Sequence, residues 1–119
     1  MLTEKDYCDK NTCVALKEVG CDQHYDKYKE TNSKGENIFD WFTLYEAQKW
    51  LREEKNIEVN ASFDKTDDGW IAFIQRLDYP DMCGTDVFST VYNTYESALL
   101  MSIKEAIKIL KEENNENSL

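Results

Sequence analysis

At residue 57 the hydrophobic period of this chain switches from 3.6 to 2. Before the switch, Leu44, Ala47, Trp50 and Leu51 recur at the spacings of one helix face. Thr43 and Glu46 stand three apart as a capping box, in which hydroxyl and carboxylate each satisfy a free backbone N–H, and Phe42 sits where a hydrophobic staple begins. This spacing predicts a helix over 43–56, with Lys49 and Glu53 placed to pair on another face. After the switch, Ile57, Val59, Ala61 and Phe63 alternate with Glu58, Asn60, Ser62 and Asp64, the pattern of a strand with one buried and one wet face. Asp68-Gly69 closes a turn over 65–69. The following WIAFIQRL, 70–77, is apolar on both faces through Ile74 and predicts a central strand covered on each side.

The rest of the chain is read outward from that core. Residues 78–85 hold the only Pro and predict a loop, 86–92 a third strand, and a last helix starts at Asn93 with Glu96 as its N3 partner and runs to about Lys111. At 100° per residue the apolar positions of that helix fill an arc of roughly 200°, wider than the stripe of ~100° or more shown to a single core. One sheet face cannot cover so wide an arc. Leu100, Ile103 and Ile107 lie at its margin and need cover from the N-terminal elements or from a second copy of the chain. Nearer the start, Asp9 caps a helix through Val19 that buries Cys13 and Leu16, with Gly20 as its left-handed end. A hairpin over 23–31 and 37–42 follows, with Asn32, Ser33, Lys34 and Gly35 in its turn. The order α-β-β-α-β-β-β-α, with strands near one another in sequence, predicts an α+β fold: an antiparallel sheet with helices packed on one face. No linker or repeat divides the chain, so 1–111 reads as one domain and 112–119 as a frayed tail.

Charge and composition bound the function. The 119 residues carry 24 Asp or Glu against 14 Lys or Arg, a net charge of −10, and the 41% apolar share with 13% aromatics is that of a folded protein. The start, MLTEKDYCDK, lacks a secretory signal, and no apolar run approaches a bilayer span. A cytoplasmic protein with reduced thiols and no membrane partner is expected. The order of residues 43–111 is also that of double-stranded RNA-binding domains. Those hold phosphates with basic residues at the start of the last helix, where this chain has Asn93, Thr94, Tyr95 and Glu96, so no nucleic acid is expected.

The constellations that could carry chemistry are incomplete. Residues 64–71 match the first eight places of a calcium loop, but the twelfth place is Gln75 instead of a bidentate Glu, and the flanks read as strands. Cys8, Cys13, Cys21 and His24 are of zinc-ligating types but lack the paired C-x2-C spacing of zinc sites. His24, the lone His, is a poor base for a Cys or Ser nucleophile. The carboxylate pairs Asp67/Asp68 and Asp78/Asp81 lie at opposite ends of the 70–77 strand, about 25 Å apart at ~3.3 Å per residue, too far for one active site. No catalytic, cofactor or metal site is expected.

Two blocks carry a resemblance. TLYEAQKWLREEKNI, 43–57, and YNTYESALLMSIKEAIKIL, 92–110, are similar to blocks of small proteins of Bacteroides-group bacteria and their phages or mobile elements, and 9–21 resembles their first helix. The resemblance implies an origin in a mobile element or its host and implies no activity. A second likeness is to antitoxins of the HicB type: YPDMCG at 79–84, a strand, and TYESA resemble their half-domain, from which the N-terminal half departs. The reading is thus a non-enzymatic acidic module that binds another protein, with a homodimer as one form of the assembly. Leu100, Ile103 and Ile107 form the expected surface, with Asp67, Asp68, Asp81 and Asp86 steering basic partners. An antitoxin-like regulator and a small carboxylate- or metal-dependent enzyme are the alternatives.

Overall fold

The computed structural model describes residues 2–78, 85–86 and 90–117, except the side chains of Asp26, Thr85, Asp86 and 115–117. Local signals fix the first elements. Helix α1, Lys10–Glu18, starts where the Asp9 carboxylate accepts the Thr12 N–H at 2.8 Å, and it stops at Gly20, whose φ of 104° is left-handed. Strands β1, Lys29–Thr31, and β2, Asn37–Asp40, pair antiparallel. In their turn Asn32 Oδ1 accepts the Lys34 and Glu36 N–H groups at 2.9 and 3.0 Å. Helix α2, Leu44–Lys55, carries the expected capping box at Thr43 and Glu46 and ends at Asn56, itself left-handed at φ 57°.

Strands β3, Ile57–Asp64, and β4, Gly69–Arg76, pair antiparallel in unbroken register from Ile57↔Arg76 to Asp64↔Gly69. Asp64 Oδ1 accepts the Thr66 N–H at 2.9 Å, tightening the turn, while Asp68 takes a left-handed φ of 52°. The far edge of β4 holds β5, Thr85–Asp86, and beyond it an isolated bridge of Tyr92 to Trp70. Asp86 and Tyr92 stand six positions apart, while their partners on β4, Phe73 and Trp70, stand three apart. Of the expected strand over 86–92, Asp86 pairs with Phe73 and Tyr92 bridges to Trp70, and 87–89 lie outside the described residues. Helix α3, Tyr95–Asn117, packs against the β3–β4 hairpin.

The fold is α+β, but the strands hydrogen-bond into two separate sheets, β1-β2 and β3-β4-β5, where one was expected. The β1–β2 hairpin is short because residues before Lys29 turn into a 3-10 helix, Asp26–Tyr28, instead of extending back to Gln23. Helix α3 begins one residue later than expected: Thr94 Oγ1 accepts the Ser97 N–H at 3.1 Å, so Thr94 is the cap. It also runs past Lys111, where Glu113 pairs with Arg76 of β4. On β3 the inward face is buried at Ile57, Val59 and Ala61, but Phe63, at the hairpin end, is exposed and meets Trp70 edge to face at 5.3 Å. On β4 the outward Ile71 and Phe73 are half-buried, so the strand is not covered on both sides.

The wide arc of α3 is covered from within the chain. Helix α1 lies alongside it, joined by Lys104 to Asp9 at 2.9 Å near one end and Lys111 to Glu18 at 3.7 Å near the other, so the two helices run parallel. Ile103 is fully buried and Ile107 nearly so, and only Leu100 stays half-exposed. Cys13, Leu16, Leu44, Leu51, Ile57 and Leu99 share one core with them.

Candidate functional site

An apolar cleft of about 830 Å³ opens where the N-terminal segment, the β1–β2 hairpin, and the starts of α2 and α3 meet. That volume falls within the ~300 to 1,000 Å³ of small-molecule and cofactor pockets. Its walls are Tyr7, Tyr28, Trp41, Leu44 and Leu100, with Cys8 at its edge. Each wall residue is placed by a separate device. Tyr7 pairs with Thr43 as an isolated bridge, and the Cys8 N–H donates to the Phe42 carbonyl at 2.9 Å, so the segment lies along the entry to α2. Just before it, residues Glu4–Asp6 form one turn of 3-10 helix. Its Asp6 accepts the Thr3 N–H at 2.8 Å and the Tyr45 hydroxyl at 2.8 Å. These two donors hold the Asp6 carboxyl below its ordinary value, and the bond to that carboxylate pushes the Tyr45 phenol up to about 12.

The opposite wall hangs on Gln23. Its side chain is buried; Nε2 donates to the Trp41 carbonyl and Oε1 accepts the Tyr25 N–H at 2.8 Å. Trp41 N–H in turn donates to the Tyr28 carbonyl at 2.9 Å, and the rings of Tyr7 and Tyr28 meet edge to face at 5.8 Å. The buried amide thereby ties the Trp41 carbonyl to the Tyr25 N–H, just before the 3-10 turn that carries Tyr28. Around the rim stand Lys5, Lys10, Lys27 and Lys29 with Glu4, Asp9, Glu30 and Glu96. Lys27 Nζ lies 4.9 Å over the Tyr28 ring. Asp9 is bonded by the Thr12 N–H and by Lys104. Burial raises its pKa, and these partners outweigh that and hold it low.

Of the expected surface, Leu100 lines the cleft, whereas Ile103 and Ile107 are buried beneath α1 and offer nothing to a partner. Asp67 and Asp68 are exposed in the β3–β4 turn. Asp81 lies outside the described residues, as does the 79–84 block, and only the backbone of Asp86 is described. Cys8, Cys13 and Cys21 are core residues, while His24 is exposed, so these four residues of zinc-ligating type are split between core and surface. Among the described residues no three His, Cys, Asp or Glu side chains come together as a metal set. Burial pushes the Cys21 thiol up to about 12. Sequence reading missed Tyr7, Gln23, Tyr28 and Trp41. The one usable signal was the density of Tyr and Trp in 7–41 against few aliphatic residues. No helix among the described residues is long and apolar enough to cross a membrane. Comparison with family models, curated proteins and solved structures finds no match for the chain.

Proposed function

We propose that this chain is a cytoplasmic, non-enzymatic protein-binding module, of the phage or mobile-element kind that its 43–57 block resembles, and that the cleft takes a segment of its partner. The observation that carries this reading is the wall of Tyr7, Tyr28, Trp41 and Leu100, an aromatic and aliphatic concavity on a chain of net charge −10. Tyr and Trp bury large area for little lost side-chain entropy and are enriched in interface anchors. The rim lysines and glutamates supply the polar border that such an anchor region needs. Exposed Asp67 and Asp68 add to the negative field that draws basic partners in. Affinity capture from host cells, run beside a Leu100→Lys variant with unchanged circular dichroism, tests the reading. A partner retained by the wild type and lost by the variant is expected. Equal capture by both, or capture of the same chain alone as a dimer through another face, contradicts it.

A further inference from the structure

Cys8 and Cys13 stand at special places on α1. Asp9 is the cap and Lys10 the first helical residue, so Cys8 is the residue before the cap and Cys13 the fourth in the helix. Those two positions are brought together by the hydrophobic staple of a helix N-terminus, and here both are thiols. Each is 1% exposed. The Cys13 thiol donates to the Cys8 carbonyl at 3.7 Å, and its sulfur accepts the Phe42 N–H at 3.4 Å. We propose that Cys8 and Cys13 are a dithiol that a hydroperoxide oxidises to a disulfide across the first turn of α1.

The two sulfurs differ in the way such a reaction needs. Contact with the Cys8 thiol, joined by the Phe42 N–H, favours the thiolate of Cys13, and the same contact together with burial holds Cys8 protonated. Cys13 also lines a second cavity of about 300 Å³ beside Lys17, Phe39 and Asp40, the side from which a small oxidant approaches in this proposal. The Cys13 thiolate attacks one peroxide oxygen, the O–O bond breaks, and hydroxide or alkoxide leaves with the electron pair. Cys13 is then a sulfenic acid. The Cys8 sulfur gives up its proton and attacks the Cys13 sulfur; the S–S bond forms, the S–O bond breaks, and water departs with that proton. The pair loses two electrons and the hydroperoxide gains them. Cys21, a buried thiol held in its neutral form, takes no part.

Trypsin separates the two cysteines, because Lys5, Lys10 and Lys17 place them on peptides 6–10 and 11–17. The folded full chain is treated with hydrogen peroxide, unfolded in N-ethylmaleimide, digested and weighed. The expected product is peptide 6–10 joined to peptide 11–17, lighter by two hydrogens than the free pair and separated by reductant, with Cys21 carrying maleimide. A Cys21→Ser chain gives the same link. In Cys8→Ser the expected product is a dimedone adduct at Cys13, the trapped sulfenic acid. Full maleimide labelling of both Cys8 and Cys13 after peroxide overturns the proposal, as does a link from either to Cys21 or Cys83.

Discussion

Gly69 has no room for a side chain. A Cβ there would lie 2.8 Å from Val91 Cβ and 3.2 Å from the Tyr92 carbonyl oxygen, since the segment carrying the Trp70–Tyr92 bridge crosses directly over it. Gly69→Ala is expected to lower stability by ~1–3 kcal/mol, the usual cost of overpacking, read as a lower urea midpoint. Gln23 is the second sensitive position. Gln23→Ala leaves the Trp41 carbonyl and the Tyr25 N–H without their partner, at a cost of ~1–3 kcal/mol. Acid is expected to weaken the fold in a defined window. Asp6, Asp9, Asp40 and Asp78 all titrate below their ordinary 3.8, through Thr3 and Tyr45, Thr12 and Lys104, Lys17 and Asn37, and Arg76 respectively; burial opposes the shift at Asp9 and Asp40 without cancelling it. The unfolded chain therefore binds more protons than the folded one as pH falls through that region. The contribution is complete above about 5 and is lost on descending through the lower folded values. A melting temperature level from pH 5 to 7 and falling steeply below pH 4 is expected. A level profile down to pH 3 would show that these contacts do not persist in solution.

Helix α2 is the element written most plainly into its own sequence. Its cap, its buried face of Leu44, Ala47 and Leu51, and its stop at Asn56 all act through residues within a turn or two, which is why local spacing predicts them. Thr43→Ala is expected to cost about 1 kcal/mol, and Leu51→Ala, fully buried, ~2–5 kcal/mol, both by urea unfolding. Trp50 is half-buried, with Lys55 over its ring at 5.5 Å, so Trp50→Ala falls below the ~3–5 kcal/mol of a fully buried indole. The third strand and the extent of the first hairpin were illegible for the opposite reason. Alternation in DVFSTVY speaks of a pleat, but pairing depends on how the far chain meets β4, and that meeting joins Asp86 to Phe73 and Tyr92 to Trp70.

At the scale of the molecule, the width of the α3 arc says that something must cover it, and α1 does so. Periodicity finds the need without naming the helix that meets it. The cleft is harder still to read, because Tyr7, Trp41 and Leu100 come from three distant stretches and only the folded chain brings them together. What spacing can state about the site is Leu100 alone. The central claim is that partners enter through that cleft, and a photoreactive benzoylphenylalanine placed at Tyr28, on its wall, tests it in living host cells. Ile38, exposed on β2 and not part of the cleft wall, is the matched control. The account predicts a crosslinked protein from position 28 and none from position 38. Adducts from 38 alone, or none from 28 when the protein is captured with its partner, would contradict it.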